Sequence, residues 1–192
     1  MKKNGHHIIF EGAELVGKSY VMSQVYDIVE AKYNATGNIL DGCHWFNSDI
    51  GIFGTRFGKP CIEKYVEMLE ILKEKNVLFE KFHISDIVYN RLRGNIAISY
   101  KSVEKKLLRL EAKIILCTIK EDESVFQKRI QDRLRLYPHY TRILKSPGWY
   151  IGQQRKYINE IKKTKLPHLI VDMTEIPNEK SSKDILRWIG EI

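Results

Sequence analysis

One short stretch near the start of the chain restricts the possible folds more than any other. From Gly12 to Ser19 the sequence follows the pattern G-x-x-x-x-G-K-S. The two glycines of this pattern let the backbone curl so that successive N–H groups point at one anion. The apolar residues 7–10 precede the stretch, and residues 20–29 follow it with apolar side chains at helical spacing. A strand, a glycine-containing loop and a helix in this order predict a phosphate-binding loop in an α/β protein.

The side chains of this loop predict a site for a nucleoside triphosphate. The Lys18 amine can reach the terminal phosphates, and the Ser19 hydroxyl can ligate a Mg²⁺ ion that bridges them. The amino end of the following helix adds partial positive charge at the same place. A glycine-containing turn that only matches the pattern is the alternative, and the flanking strand and helix argue against it. We therefore predict that ATP, with Mg²⁺ as its cofactor, contacts Gly12, Ala13, Glu14, Leu15, Val16, Gly17, Lys18, Ser19 and Tyr20.

Length and composition are typical of one globular domain spanning residues 1–192. The hydrophobic fraction of 43% is enough for a buried core, and the sequence contains no run of 18 apolar residues that would predict a membrane span. Cys43, Cys61 and Cys117 lack the spacing of metal ligands and indicate reduced thiols in a cytoplasmic protein. The net charge of +8 suits an anionic partner such as a nucleotide or a nucleic acid, although a lysine-rich solvated surface explains it equally well.

Short apolar runs alternate with helical periodicities along the chain, which predicts a parallel sheet covered by helices on both faces. Strands are predicted at residues 7–10, 39–40 (ending at Asp41), 76–79, 113–119 and 168–172, with an irregular loop at 42–59. Helices are predicted at residues 20–29, 62–75, 84–93, 102–110, 124–136, 150–163 and 183–189.

Four segments resemble the thymidylate kinases and deoxynucleoside kinases. From Phe10 to Ser19 the chain reads F-E-G-x-E-x-x-G-K-S, which is similar to the phosphate loop of those enzymes. From Phe79 to Asp86 it resembles their acidic, basic and aromatic signature at a strand end. Glu121 to Arg133 resembles the acidic turn and the R-x-x-x-R helix that lead into their lid, and Leu169 to Asp172 is similar to their last strand.

The resemblance implies a three-layer α/β/α P-loop kinase fold with a parallel sheet of about five strands and a basic helical lid at about residues 129–150. It also implies that the γ-phosphate of ATP moves to a nucleotide or nucleoside acceptor. A phosphate loop without an internal arginine, as here, implies that the lid supplies one. The residues implied in catalysis are Lys18, Glu80, Arg129, Arg133 and Asp41; those implied in acceptor binding are Lys81, Phe82, Trp45 and Glu14; and Ser19 and Glu80 would hold Mg²⁺, directly or through water.

The sequence departs from thymidylate kinases where the acceptor would bind. Lys81 stands where those enzymes have an arginine that grips the acceptor phosphate, so the charge is kept but the bidentate fork is lost. Asp41 resembles the carboxylate base of nucleoside kinases, which a hydroxyl acceptor needs and an ionised phosphate acceptor does not. The sequence therefore leaves the choice between a phosphate and a hydroxyl acceptor open. It also leaves Glu11 open between a structural and a functional role.

A basic and aromatic stretch supports an alternative acceptor. Cations alternating with aromatic rings are the combination that holds single-stranded nucleic acid. A kinase that phosphorylates a hydroxyl on nucleic acid, at a strand end or on a hydroxymethylated pyrimidine, would need such a surface. An ordinary lid around a packed aromatic cluster is the simpler explanation. Beyond Arg133, the residues concerned are Arg135, Arg142, Lys145, Arg155 and Lys156, with Tyr137, Tyr140, Trp149 and Tyr150.

A further alternative is a P-loop NTPase that acts as a switch rather than as a kinase. The N-K-x-D motif that GTPases place after a strand has no counterpart after residues 113–119, and the small size with a basic helix favours a kinase. The six histidines do not have the spacing of a metal site. No membrane partner is expected, and the sequence leaves a homodimer open.

Overall fold

Five apolar runs form one parallel sheet in the computed structural model, which describes residues 5–48 and 51–192. The strands are β1 (His7–Glu11), β2 (His44–Asn47), β3 (Val77–Glu80), β4 (Lys113–Thr118) and β5 (His168–Asp172). Their order across the sheet is β2-β3-β1-β4-β5, and every neighbouring pair is parallel. Parallel neighbours need a crossover connection between them, and helices provide most of each crossover.

The described part of the chain contains seven α-helices. They are α1 (Lys18–Tyr33), α2 (Gly58–Ile71), α3 (His83–Gly94), α4 (Lys101–Arg109), α5 (Glu123–Leu136), α6 (Pro147–Ile161) and α7 (Glu179–Ile189), with a 3₁₀ helix (Pro138–Arg142) between α5 and α6. Helix α1 packs against α7, and α3 packs against α6. This arrangement confirms the predicted α/β/α fold with a five-stranded parallel sheet. Across residues 5–48 and 51–192, the helices lack the length and apolar character that crossing a bilayer requires.

Four of the five strands lie within one residue of their predicted positions. Every residue of β1 and β3 is buried, as is the centre of β4. Strands buried on both faces appear in the sequence as continuous apolar runs, which is the pattern that identified them. All seven predicted helices are confirmed, and most begin a few residues earlier than their apolar periodicity indicated.

The predicted strand at residues 39–40 is wrong, and the second strand lies farther along the chain at His44–Asn47. Ile39 and Leu40 are 65% and 70% exposed, so their apolar side chains do not enter the core. The Asn34 side chain closes a turn there, since it accepts a hydrogen bond from the Gly37 amide (2.6 Å) and donates one to the Ile39 carbonyl (2.7 Å). The loop predicted at residues 42–59 therefore contains β2; two of its residues, 49 and 50, lie outside the described ranges.

The carboxyl ends of the five strands share one edge of the sheet. The register places Glu80 beside Phe10 on one side and beside Asn47 on the other. Because β1 is the central strand, the loop that follows it lies in the middle of this edge. In open α/β sheets this edge is where ligands bind.

Candidate active site

The loop between β1 and α1 is a compact turn that depends on its two glycines. Gly12 and Gly17 have φ angles of 140° and 83°, and Leu15 between them has a φ of 69°. A Cβ atom at Gly12 would lie 2.5 Å from the Cys117 carbonyl oxygen, and one at Gly17 would lie 2.9 Å from the Ile176 side chain. The glycines therefore provide both the left-handed backbone and the close packing that an amide nest for an anion requires.

Lys18 is held over this loop in a position from which it can bind phosphate. Its side chain is buried, and its Nζ donates a hydrogen bond to the Ala13 carbonyl at 2.6 Å. Burial lowers the pKa of Lys18, and the neighbouring positive charge of Lys81 lowers it further. An anion bound in the loop would relieve both effects, because it supplies the negative charge that the buried ammonium lacks.

Ser19 and Glu80 form the second element of the site. The Ser19 hydroxyl donates a hydrogen bond to Glu80 Oε1 at 2.7 Å, which joins the first turn of α1 to the end of β3. The Ser19 hydroxyl and the Glu80 carboxylate are hard oxygen ligands. Mg²⁺ binds such ligands in proteins together with the phosphates of a substrate. Residues 5–48 and 51–192 contain no group of three or more acidic, histidine or cysteine side chains that could bind a metal. The Ser19 and Glu80 oxygens fit a Mg²⁺ ion that arrives with a nucleotide and takes its other ligands from the phosphates.

Side chains from two helices, α3 and α6, and from the connection between β3 and α3 surround the other side of the loop. The Glu14 amide donates to Gln153 Oε1 at 3.0 Å, and its carboxylate accepts a hydrogen bond from the Tyr89 hydroxyl. Lys81, which is buried and has a φ of 62°, places its Nζ 5.4 Å from the centre of the Tyr89 ring. The amide nitrogen of Gln153 is buried without a hydrogen-bond partner among the described residues. A cation, a carboxylate and an unused donor thus meet beside the loop.

Phe82 and Trp45, both predicted to bind the acceptor, lie elsewhere. The Phe82 ring is fully buried and contacts Phe79 edge to face, with ring centres 5.0 Å apart. Trp45 lies on the edge strand β2 and packs against Tyr26 of α1, with ring centres 5.9 Å apart. The Phe82 ring belongs to the core and the Trp45 ring packs against α1, so neither is among the side chains that meet beside the phosphate loop.

Asp41 also lies far from its predicted position. It precedes β2 and is therefore at the amino edge of the sheet, opposite the phosphate loop. Its carboxylate accepts a hydrogen bond from the Ala35 amide at 3.2 Å, within the exposed turn after α1. The prediction of Asp41 as a catalytic base is wrong, because the second strand follows Asp41 and the residue therefore lies away from the phosphate loop.

Glu11 has a structural role. Its Oε1 accepts hydrogen bonds from the amides of Phe82, Ile84 and Ser85 at 3.0–3.2 Å, and Oε2 accepts one from the Ser85 hydroxyl at 2.5 Å. Burial raises the pKa of Glu11, whereas the hydrogen bond from Ser85 opposes that rise. The carboxylate binds the free amides at the start of α3 and fixes that helix to the end of β1.

Arg129 and Arg133, the two lid arginines predicted to take part in catalysis, are both on α5 and make different contacts. Arg129 is half-buried, and its Nη2 donates to the carbonyls of Met173 and Thr174 at 2.5 and 3.2 Å. The Arg133 guanidinium lies over the rings of Tyr137 and Tyr140, 5.6 and 5.0 Å from their centres. Arg129 is thus fixed to the segment after β5, while Arg133 is held by aromatic rings.

A cavity of about 330 Å³ lies beside Arg129, between α5 and the segment that follows β5. Its lining includes Ile176, the side chain that a Cβ at Gly17 would meet, so the cavity opens next to the phosphate loop. Tyr20 supports the same region, because its hydroxyl accepts a hydrogen bond from the Asn178 amide at 3.2 Å. A flat base attached to a phosphate chain could occupy this cavity above the Arg129 guanidinium.

Sequence analysis missed Tyr89, Gln153 and Gln154. Gln153 lies 139 positions from its partner Glu14, so spacing along the chain gave no signal. Gln154 joins α6 to the end of β4, because it accepts from the Ile119 amide (2.9 Å) and donates to the Ile119 carbonyl (2.7 Å). Two adjacent glutamines on an otherwise amphipathic helix were the only visible sign.

Comparison of the sequence with protein families and with curated proteins gave no match. Comparison of the structure with solved structures gave many. The YorR protein of Bacillus subtilis, solved in complex with phosphorylated GDP, has a TM-score of 0.64 at 20% identity, with 95% of this chain and 94% of that chain covered. Deoxyadenosine kinase from M. mycoides has a TM-score of 0.56 at 13% identity, with 97% and 100% covered. Thymidylate kinase from Ehrlichia chaffeensis has a TM-score of 0.52 at 13% identity, with 97% and 98% covered.

These similarities define the class of the fold. The chain has the fold of the P-loop kinases. Its phosphate loop follows β1, the central strand of the sheet. Within the class, two of the similar structures are a nucleoside kinase and a nucleotide kinase, as their names state. Coverage of nearly the whole length of each chain means that the similarity includes the helices around the sheet as well as the loop.

Proposed function

We propose that the protein is an ATP-dependent kinase that transfers the γ-phosphate to a nucleotide-like acceptor. The observation that carries this proposal is the convergence at one sheet edge of a glycine nest, the buried Lys18 and the Ser19–Glu80 pair at 2.7 Å. Phosphoryl transfer needs little covalent chemistry from the protein and depends on positioning and on charge neutralisation. These groups supply both.

The residues divide into a donor side and an acceptor side. On the donor side, the loop amides and Lys18 would hold the β- and γ-phosphates, and the cavity beside Arg129 would hold the base. Mg²⁺ held at Ser19 and Glu80 would neutralise phosphate charge.

On the acceptor side, Lys81 lies next to the loop and Glu14 lies in it, and both would orient the attacking group. Arg133, released from its two tyrosines, could approach the transferring phosphate when the lid closes.

The charges beside the loop favour an acceptor that is already anionic. Asp41 is at the opposite edge of the sheet, and in the described ranges the carboxylates at the loop are engaged: Glu80 by Ser19 and Glu14 by Tyr89. A hydroxyl acceptor benefits from a free carboxylate base, whereas a phosphate acceptor requires only cations. Lys81 is a cation in that position, so a nucleoside monophosphate is the acceptor that these groups suit best.

A panel of acceptors with γ-labelled ATP tests this proposal. We expect label to pass to a nucleoside monophosphate in a reaction that stops when Mg²⁺ is chelated, with free nucleosides as weaker acceptors. Plain and modified oligonucleotides belong in the same panel. Release of inorganic phosphate at a rate independent of every acceptor would contradict a kinase and favour an NTPase switch.

A further inference from the structure

Nearly all of the net positive charge of the chain lies in one segment. Residues 124–156 contain eight lysines and arginines but one acidic residue, Asp132, whereas the whole chain has a net charge of +8. The rest of the chain is therefore close to neutral. A surface that serves only solubility has both signs of charge interspersed, which is not the case in this segment.

Aromatic rings lie on the outside of the same segment. Tyr137, His139 and Tyr140 form a cluster with ring centres 5.0–6.2 Å apart, and the Arg133 guanidinium lies over two of the rings. Tyr137 is 46% exposed, in contrast to the buried Tyr150 in the same segment. The predicted aromatic stretch therefore divides into a core part around Tyr150 and a surface part around Tyr137.

The cations of residues 124–156 differ in whether other protein groups already bind them. Arg129 is fixed by two carbonyls, and Arg155 pairs with Glu121 at 2.8 Å. Arg142 and Lys145 are exposed, and their side chains have no ion pair within residues 5–48 and 51–192. We call the group formed by Arg133, Tyr137, His139, Tyr140, Arg142 and Lys145 the lid surface.

The lid surface adjoins the proposed transfer site. Arg133 lies one helical turn after Arg129, which lines the cavity next to the phosphate loop. Helix α6 connects the two regions: the Tyr150 hydroxyl accepts a hydrogen bond from the Lys145 amide at 3.2 Å, and Gln153 on the same helix accepts one from the Glu14 amide of the loop at 3.0 Å. A polymer bound to the lid surface would therefore pass close to Glu14.

We infer that the lid surface binds single-stranded nucleic acid. Phosphates of a strand pair with Arg142 and Lys145, and unpaired bases stack on the exposed rings, an arrangement that tolerates any base sequence. A duplex hides its base faces, so it engages the cations but not the rings. A strand held in this way keeps one of its nucleotides at the mouth of the transfer site.

Fluorescence anisotropy with a labelled 20-nucleotide oligo(dT) tests the inference, because it measures binding without any transfer. The matched charge variants are Arg142→Glu with Lys145→Glu on the lid surface, and Lys73→Glu with Lys75→Glu in the exposed turn after α2, at the opposite edge of the sheet. The matched ring variants are Tyr137→Ala, which removes the stacking face, and Tyr137→Phe, which keeps it. Circular dichroism checks that each variant is folded.

We expect the lid-surface charge variant to weaken strand binding by at least about ten-fold and to flatten the plot of log affinity against log salt by about 1.4, the value for two lost contacts with a single strand. Tyr137→Ala is expected to weaken binding by roughly five-fold or more. Tyr137→Phe and the Lys73/Lys75 variant should bind as the wild type does. Lys18→Ala should also keep strand binding, which separates this inference from the proposed function.

Three results would overturn the inference. The first is equal affinity of the wild type and the lid-surface charge variant for the strand. The second is binding of a 20-base-pair duplex as tightly as the single strand, since the rings would then contribute nothing. The third is binding to phosphatidylserine vesicles with no binding to the strand, which would assign the surface to a membrane.

Discussion

Gln153 and Gln154 are adjacent on α6 but support different parts of the molecule. Gln153 accepts from the Glu14 amide in the phosphate loop, whereas Gln154 makes two hydrogen bonds to Ile119 at the end of β4. We expect Gln153→Ala to weaken ATP binding by about five-fold, since a hydrogen bond that positions the loop is worth about 1 kcal/mol. We expect Gln153→Ala to lower the free energy of unfolding by less than Gln154→Ala does.

Gln154→Ala is the matched comparison for that experiment. It leaves a buried N–H and a buried C=O without partners, so we expect a loss of about 2 kcal/mol in the free energy of unfolding with nearly unchanged ATP affinity. Calorimetric titration and urea unfolding of both variants check this pair of expectations. Equal effects of the two variants on ATP affinity would show that Gln153 has no special role at the loop.

At the level of single residues, the sequence predicted some of the side chains that the fold brings together at the phosphate loop and missed others. Lys18, Ser19 and Glu80 were predicted because the loop pattern fixes the first two and a strand end fixes the third. Gln153 and Tyr89 meet the loop through tertiary packing of α6 and α3, which leaves no trace in local spacing. The prediction for Asp41 was wrong for a different reason, because the second strand follows Asp41 instead of ending at it.

At the level of elements, the start of α3 depends on one carboxylate from another strand. Glu11 Oε1 accepts hydrogen bonds from the Phe82 amide just before α3 and from two amides in its first turn, those of Ile84 and Ser85. We expect Glu11→Ala to lower the free energy of unfolding by about 3 kcal/mol, because it leaves these buried donors unsatisfied. Urea unfolding followed by circular dichroism measures the loss.

Glu179→Ala is the control for the Glu11 variant. Glu179 lies in the exposed first turn of α7, where a carboxylate contributes about 0.5 kcal/mol through the helix dipole. A loss at Glu11 no larger than the loss at Glu179 would mean that α3 does not depend on the buried carboxylate.

The elements that the sequence predicted well are those whose pattern is determined by burial on both faces. Strands β1, β3 and β4 are continuous apolar runs because helices cover them on both sides. Strand β2 is an edge strand with Trp45 and Asn47 exposed, so only alternate residues face the core. The two apolar residues at 39–40 gave a stronger local signal than the strand itself.

At the level of the whole molecule, Glu191 joins the two ends of the described chain. Its carboxylate contacts His6 before β1 at 2.5 Å, Lys32 on α1 at 2.9 Å and the Tyr33 hydroxyl at 2.8 Å. Burial acts to raise the pKa of Glu191, but the hydrogen bonds from Lys32, Tyr33 and His6 outweigh it, so the pKa is lowered. A lowered carboxyl pKa stabilises the folded state above the unfolded pKa of about 4.3, and that contribution is lost as the pH falls through the folded value.

We therefore expect Glu191→Gln to be less stable than the wild type by about 1 kcal/mol at pH 7, with the difference shrinking as the pH falls toward 3. Urea unfolding of both proteins at pH 7, 5, 4 and 3 measures the difference at each pH. A difference that grows as the pH falls would contradict the assigned direction of the pKa shift.

The distribution of charge is a property of the whole molecule that composition alone could not locate. The sequence gave the net charge of +8 and left its meaning open between an anionic partner and a solvated surface. Most of that excess lies in residues 124–156, from α5 to α6, and α5 lines the cavity beside the phosphate loop. The position of the positive charge relative to the phosphate loop is therefore more informative than the total net charge.

Phosphate transfer from γ-labelled ATP by Lys18→Ala, compared with the wild type, tests the central claim most directly. The Lys18 ammonium is buried at the loop, where it donates a hydrogen bond to the Ala13 carbonyl. We expect the rate of transfer to fall by roughly a thousand-fold, the upper range for loss of one group that stabilises the transition state. The control Lys64→Ala, on the exposed face of α2, should leave the rate unchanged. A folded Lys18→Ala protein that transfers phosphate at the wild-type rate would contradict the account.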